Sequence, residues 1–394
     1  MKSFYFAKRK HREGAPQSLK TKSRLALQLV PAATTLVALA ISIPLSAQTI
    51  TTFDAPGAGT GAFQGTYALA IDPSETIIGF IRDANEVRHG FIRSQDGSFT
   101  IYDAPGAGTA AGQGTRAYAI NPSGAITGHF TDSFNTAHGY VRSNQGVITV
   151  FDAPGAGTGL NQGTFPINSP QLINPNGAIT GYYVDSAFVR HGFLRDKNGV
   201  ITTFDAPGAG TGVNEGTQSF AISPGGEITG FYFDGTDAVH GFLRDKNGVI
   251  ITFDVPGGGT GPGEGTFGGG FTPNGTILGV LIDADFVNHG FLLDKLGAVT
   301  IFDAPHAGTG FNQGTLPWDI NTSGTTTGWY VDDSNVNHGF VCDKHGAVVE
   351  FDVPGAGTGP GQGAIGRSIA RKGAVTGFYF DPDNVVHGFV REAH

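Results

Sequence analysis

One octapeptide, Phe53-Asp54-Ala55-Pro56-Gly57-Ala58-Gly59-Thr60, returns in close variants along almost the whole chain. Its Asp recurs at Asp103, Asp152, Asp205, Asp254, Asp303 and Asp352, at spacings of 49, 49, 53, 49, 49 and 49 residues. A second marker, His-Gly-aromatic, keeps the same phase at His89, His138, His191, His240, His289, His338 and His387. Two markers in one rhythm mean one structural unit used seven times, so the 394 residues read as a single array rather than as separate domains. The 63 Gly and 30 Phe, against one Met and two Trp, suit short strands and tight turns.

The first 47 residues differ in kind. Eight Lys and Arg between Lys2 and Arg24 precede an apolar stretch densest from Ala32 to Ile43, and Leu45-Ser46-Ala47 offers small residues for cleavage. This is the layout of a secretory signal with a long basic leader, either cleaved or kept as an anchor. The expected division is therefore 1–47 signal peptide and 48–394 repeat domain, in a secreted or cell-surface protein. Loss of the leader removes eight basic residues and one acid, moving the net charge from −9 to −16. Such a surface argues against nucleic acid as a partner, and leaves membrane contact only through an uncleaved signal. Cys342 is the only cysteine and excludes an internal disulfide. It stands where other repeats have Arg93, Arg142, Arg195 and Arg244, which predicts a tolerated surface position.

Within the second repeat, Arg116–Ile120 alternates and meets the turn Asn121-Pro122-Ser123-Gly124; Ala125–Phe130 returns, His138–Arg142 follows after a loop, and Val147–Phe151 closes the unit. These are four strands, a to d, of an antiparallel meander too small to be stable alone. The phase decides how the units assemble. The chain after the leader begins in strand d (Thr49–Asp54) and ends in strand c (His387–Arg391), so the first strand can complete the last unit. The expectation is an all-β, seven-bladed β-propeller of four-stranded antiparallel blades, closed by pairing of the N-terminal strand with the last blade. Small residues at Ala68, Ala117, Ser219 and Gly268, and at Ala70, Ala119, Ala221 and Gly270, are expected on one face of strand a where strands converge on the axis. The third repeat has four extra residues, aligned to Phe165-Pro166-Ile167-Asn168 and expected on the face of the longer d to a and b to c loops, the face preferred for binding.

Each His-Gly marker follows an Asp by six residues, giving the pairs Asp83/His89, Asp132/His138, Asp185/His191, Asp234/His240, Asp283/His289, Asp332/His338 and Asp381/His387. An imidazole donating to a carboxylate would pin the b to c loop, a structural role. The functional alternative, metal binding, has only two ligands per repeat, so no metal and no cofactor are expected. The Gly57-Ala58-Gly59 segment lacks the Lys-Ser/Thr and βαβ context of a phosphate loop and reads as a Pro-initiated turn. No nucleophile stands in a recognisable catalytic setting, and no catalytic residue is assigned.

Departures from the repeat are more informative. One strand a position reads Leu69, Tyr118, Gln171, Phe220, Gly269, Trp318 and Arg367; a strand b position reads Phe80, His129, Tyr182, Phe231, Val280, Trp329 and Phe378. A single site at a channel mouth needs such asymmetry, and aromatic faces can stack on sugars as well as pack between blades. The candidate ligand-binding residues are Tyr118, Phe165, Gln171, Trp318 and Arg367.

The His-Gly-Phe strand, the Ile-Asn-Pro-x-Gly-x-Ile-x-Gly segments at Ile120–Gly128 and Ile173–Gly181, and the Phe-Asp-x-Pro-Gly loop together resemble the bacterial HAF-type extracellular repeat proteins over residues 50–394. The chain departs from that group in reading His-Gly-Phe for His-Ala-Phe. The resemblance implies an exported bacterial repeat protein and brings no catalytic residues. The leading expectation is a non-catalytic binding or scaffolding module for carbohydrate or an extracellular protein. The alternatives are a polysaccharide lyase or hydrolase with an acid and a His near the channel mouth, and a purely structural surface protein.

Overall fold

A computed structural model of the chain describes residues 49–393; the expected signal segment, 1–47, lies outside the described residues. The described residues form an all-β, closed, propeller-like fold of repeated strands, 28 of them in one continuous hydrogen-bonded sheet. In the second repeat, strand a (Gly114–Ile120), b (Ile126–Thr131), c (Ala137–Arg142) and d (Ile148–Phe151) pair antiparallel in order. The other repeats follow the same plan.

Asx turns make the reversals tight. Asn121 Oδ1 accepts from the amides of Ser123 (3.1 Å) and Ala125 (3.0 Å) at the a to b turn, and Asp132 Oδ1 accepts from Phe134 (2.9 Å) and Thr136 (2.8 Å) between b and c. The same Asn121 donates through Nδ2 to the Asn174 carbonyl of the next repeat (3.0 Å), so a turn residue also ties neighbours.

Adjacent repeats meet edge to edge where strand a begins. Gly114 bridges to Arg88 of the preceding strand c with a φ of 100°, and a Cβ there would lie 2.1 Å from the Arg88 carbonyl oxygen. Only glycine permits both the conformation and the approach. The strand c aromatics, among them Phe91, Tyr140, Phe193 and Phe389, are fully buried between repeats. Burial of such rings, at about 25 cal/mol per Å² of apolar area, is the main force holding one run of strands on the next.

The ends of the described chain close the ring. Ile50–Phe53 pairs antiparallel with Val386–Arg391, in the register Ile50↔Arg391 to Phe53↔Gly388. The borrowed strand reproduces what each repeat does internally: Asp54 meets His387 Nδ1 at 2.9 Å, as Asp152 meets His138.

Three expectations need correction. Strand a carries a bulge or irregularity in every repeat but the third, as between Ala117 and Ala119, which sends the two small residues to different sides. A Cβ on Gly268 would meet the Gly230 carbonyl of the preceding repeat, whereas one on Gly270 would meet Gln171 and Ile320. Secondly, Phe165 is an ordinary strand residue paired with Tyr182, as Arg116 is with His129, and Ile173 re-pairs with Ile179. The extra residues of the third repeat therefore fall between Phe165 and Ile173, within strand a, not among the long loops. Thirdly, Cys342 is only 2 % exposed. The arginines at its position lay their guanidinium over the strand d aromatic of the preceding repeat, as Arg244 does over Phe204 at 4.8 Å, so the site is a covered one. Burial pushes the Cys342 thiol up to about 11.

Candidate functional site in the axial channel

The bulge decides which side chains reach the axis. Its extra residue is the very position that varies most, Leu69, Tyr118, Phe220, Trp318 and Arg367, so these five repeats aim different groups inward from the same backbone device. Contacts between repeats that are not neighbours place these groups at the centre. The Phe220 ring of the fourth repeat meets Trp318 of the sixth at 5.4 Å, and Trp318 lies 5.2 Å from Trp329. Arg367 of the seventh lies over the Trp318 ring, its Cζ 4.2 Å from the centroid.

Gln171 spans the axis. Its Nε2 donates to Asp319 Oδ1 and to the Ile320 carbonyl, both at 3.0 Å, and its Oε1 accepts from the Phe271 amide at 2.8 Å. Its own carbonyl accepts from the Ile222 amide at 2.9 Å. One residue thus links the third repeat to the fourth, fifth and sixth. Asp319 extends the link to the seventh, accepting from Ser368 Oγ (2.8 Å) and the Ile369 amide (2.9 Å), with the Ile320 amide at 2.9 Å as a fourth donor. Burial raises this carboxyl from 3.8 to about 6, the donors notwithstanding. The four-residue insertion lets strand a leave its register and drop Gln171 into the middle.

This polar crosspiece floors a cavity of about 190 Å³ that opens among the a to b turns, ringed by Pro73, Pro122, Pro175, Pro224 and Pro273 with Gln171 and Asp319 at its base. It lies on the face of the tight turns. Toward the long-loop face, the strand a and b residues are of two kinds. Tyr67, Leu69, Phe80, Tyr118, Ile365, Arg367 and Phe378 are buried and fill one side. Phe165, Tyr182, Phe220, Phe231, Trp318 and Trp329 are only partly buried on the other. Phe165 and Tyr182 stack at 5.3 Å with a 17° interplanar angle.

Of the five candidate ligand-binding residues, the structure leaves Phe165 and Trp318 partly buried and places Gln171 in the crosspiece. Tyr118 is buried, stacked on His129 at 5.6 Å, and Arg367 is buried against Trp318. His129 itself sits with Nε2 2.9 Å from Arg116 Nη1 and its ring edge toward Phe165. Burial and the Arg116 charge hold His129 well below its usual value, so it is neutral and accepts from the guanidinium. Sequence reasoning missed Arg82, Arg88 and Arg116; comparing the strand a position that reads Tyr67, Arg116, Phe165, Gln218, Phe267, Leu316 and Ile365 would have raised Arg116.

The seven His-Gly histidines lie away from the axis, each between two carboxylates. Nδ1 stands 2.7–3.0 Å from the Asp of the Phe-Asp-x-Pro-Gly loop, and Nε2 3.4–3.8 Å from the Asp six residues earlier. The shorter contact, fourteen residues on, is the one that spacing within the hairpin did not suggest. Among the described residues no group of three His, Cys, Asp or Glu could hold a metal ion.

Comparisons with protein families and with curated proteins return no match. Among solved structures, the BP39L lectin from Burkholderia pseudomallei aligns at a TM-score of 0.52 with 10 % identity, over 84 % of this chain and 96 % of the lectin. TolB from Acinetobacter baumannii (TM-score 0.44, 10 % identity, 81 % of this chain) and a puromycin hydrolase (0.48, 11 %, 83 %) are more remote. This chain spans 64 % and 50 % of the length of those two proteins. At such identities the likeness speaks for the fold alone.

Proposed function

We propose that this chain is an exported seven-bladed propeller that serves as a non-catalytic binding module for carbohydrate, secreted or held at the cell surface. The grouping of 28 strands into repeated meanders of four supports the blade count, and the layout of residues 1–47 supports export. The likeness to HAF-type repeats carries the same expectation of an extracellular bacterial protein. The observation that carries the binding reading is the partly exposed aromatic wall of the channel, Phe165, Tyr182, Phe220, Phe231, Trp318 and Trp329, with Phe220 and Trp318 set on bulges. Aromatic faces offered on a rigid frame match the apolar faces of pyranose rings. A lectin among the fold relatives is compatible with this and adds nothing specific.

Both tryptophans of the chain lie on that wall, so tryptophan emission tests the reading directly. Titration with neutral and acidic oligosaccharides should give a saturable change in emission that weakens in Phe165→Ala. A glycan screen without any spectral response, or release of product from a polysaccharide that Asp319→Asn abolishes, would overturn it, the second in favour of an enzyme.

A further inference from the structure

We propose that Arg82, Arg88 and Arg116 form a recognition site for the carboxylate of an acidic sugar, at the end of the channel that opens among the b to c and d to a connections. This names the substrate class for the carbohydrate reading above and rests on it.

Arg82 and Arg116 are departures from the repeat, and Arg88 is matched only by Arg190. At the place of Arg82 the other repeats have Thr131, Val184, Phe233, Ile282, Val331 and Phe380, and at that of Arg116 none has a charge. Arg82 and Arg88 are directly opposed across adjacent strands, an arrangement that costs stability between like charges. Arg88 Nη1 and Arg116 Nη2 both donate to the carbonyl of Gly112, the latter at 3.1 Å, which brings two guanidinium groups onto one neutral oxygen. Arg190 repeats the Arg88 contact at the Asn214 carbonyl, but there Gln218 stands where Arg116 does, so no second cation joins.

Counter-charge is short. Glu86 pairs with Arg82, and among the described residues Arg88 and Arg116 have no carboxylate within ion-pair distance. Arg116 spends its other hydrogen bonds on Thr131 Oγ1 (3.0 Å) and on neutral His129. Burial and then the charge of Arg116 lower Arg88 from 12.5 to about 10. A chain with an excess of acids outside its leader thus gathers three cations, only one of them paired with a carboxylate, on the face of the long connections. An incoming carboxylate would accept from both Arg88 and Arg116 and relieve their repulsion.

The neighbouring groups favour a sugar acid over a bare anion. Arg116 touches His129, His129 meets the Phe165 ring edge to face with centroids 5.4 Å apart, and Phe165 stacks on Tyr182. Partly exposed rings therefore begin one side chain away from the guanidinium groups, and a free phosphate would leave them unused.

The test is isothermal titration calorimetry of the intact protein with tri-galacturonate, its methyl ester, maltotriose and inorganic phosphate. Tri-galacturonate should bind at least about 10-fold more tightly than its methyl ester, the worth of one charge-assisted contact. Arg116→Gln and Arg88→Gln should erase that preference, while Arg116→Lys keeps part of it; thermal melts of each variant check folding, and Arg82→Gln supplies a peripheral variant should the buried ones not fold. Equal affinity for acid and ester, a preference that survives both Gln variants, or binding of phosphate in place of tri-galacturonate would overturn the proposal. Neutral maltotriose bound without any charge preference would sink this inference alone and leave the carbohydrate reading in place. Tri-galacturonate bound through the arginines but untouched by Phe165→Ala would keep this site and sink the aromatic wall.

Discussion

Replacing Asp319 by Asn should open a stability gap that depends on pH in a direction opposite to that of a carboxylate held by an ion pair. The folded chain holds Asp319 at about 6 against an ordinary 3.8, burial outweighing four donors. Because the folded value lies above the unfolded one, the contribution of this group is whole below pH 4 and fades as pH rises through 6. The difference corresponds to about 3 kcal/mol between acid and neutral pH. Asn does not titrate, but presents an amide NH₂ where Ser368 Oγ and the Ile369 amide now donate, at a cost of roughly 1–3 kcal/mol for a mismatched buried group. At pH 7 this loss is about offset by removal of the buried charge, so wild type and variant should melt close together. At pH 4 the wild type no longer carries the charge, and the variant should melt lower by about 4 °C for a ring of this size. Differential scanning calorimetry of both proteins at the two pH values measures the gap. A gap that stays constant, or that widens toward pH 7, would refute the account of Asp319 as a desolvated centre of the crosspiece.

Other outcomes follow from the repeat itself. Gly139→Ala would put a Cβ 2.6 Å from the Phe151 ring and should cost about 1–3 kcal/mol by overpacking, with partial recovery in a second variant that also carries Phe151→Leu; chemical denaturation reads both. His138→Ala should lose less than about 1 kcal/mol, the contact being half open to solvent. Hydrogen bonding to Asp152 raises His138, so its contribution is present below pH 6.5 and lost as pH rises through the folded value; melts at pH 5.5 and 8.5 should show the smaller loss at the higher pH. Thr115, Thr164 and Thr217 each accept an amide hydrogen bond from the Phe-Asp-x-Pro loop at 2.9 Å, but the seventh repeat has Ala364 there. Ala364→Thr should raise stability by about 1 kcal/mol, seen as a higher melting temperature.

The repeat was legible because its signals are local: the turn residues, the alternation of strands, and the phase that begins in strand d and ends in strand c. The strand pairing at Ile50–Phe53 needed only that phase. Contacts made by the third dimension were not legible. Asp152 lies fourteen residues from His138 but across the c to d hairpin, so counting six residues back found the more distant acid first. The bulge in strand a changes which side a residue faces without changing the spelling of the sequence, and it turned a supposed row of small residues into two faces. The role of Gln171 depends on where four extra residues leave the strand, which alignment alone set too early, at Phe165. The glycine of the His-Gly-aromatic marker is a packing requirement that its spelling did not announce, since the strand d ring lies directly on it.

The closing of the ring by its first described strand is the claim on which the channel, its crosspiece and its two faces depend. Cysteines at Thr51 and Val390, opposed in the pairing, in a chain with Cys342→Ser, test it under mild oxidation. A disulfide within one chain, seen as a single cross-linked peptide by mass spectrometry of the monomer, is the predicted result. Free thiols, or disulfides only between chains, would mean that the two ends do not pair and that the ring is open.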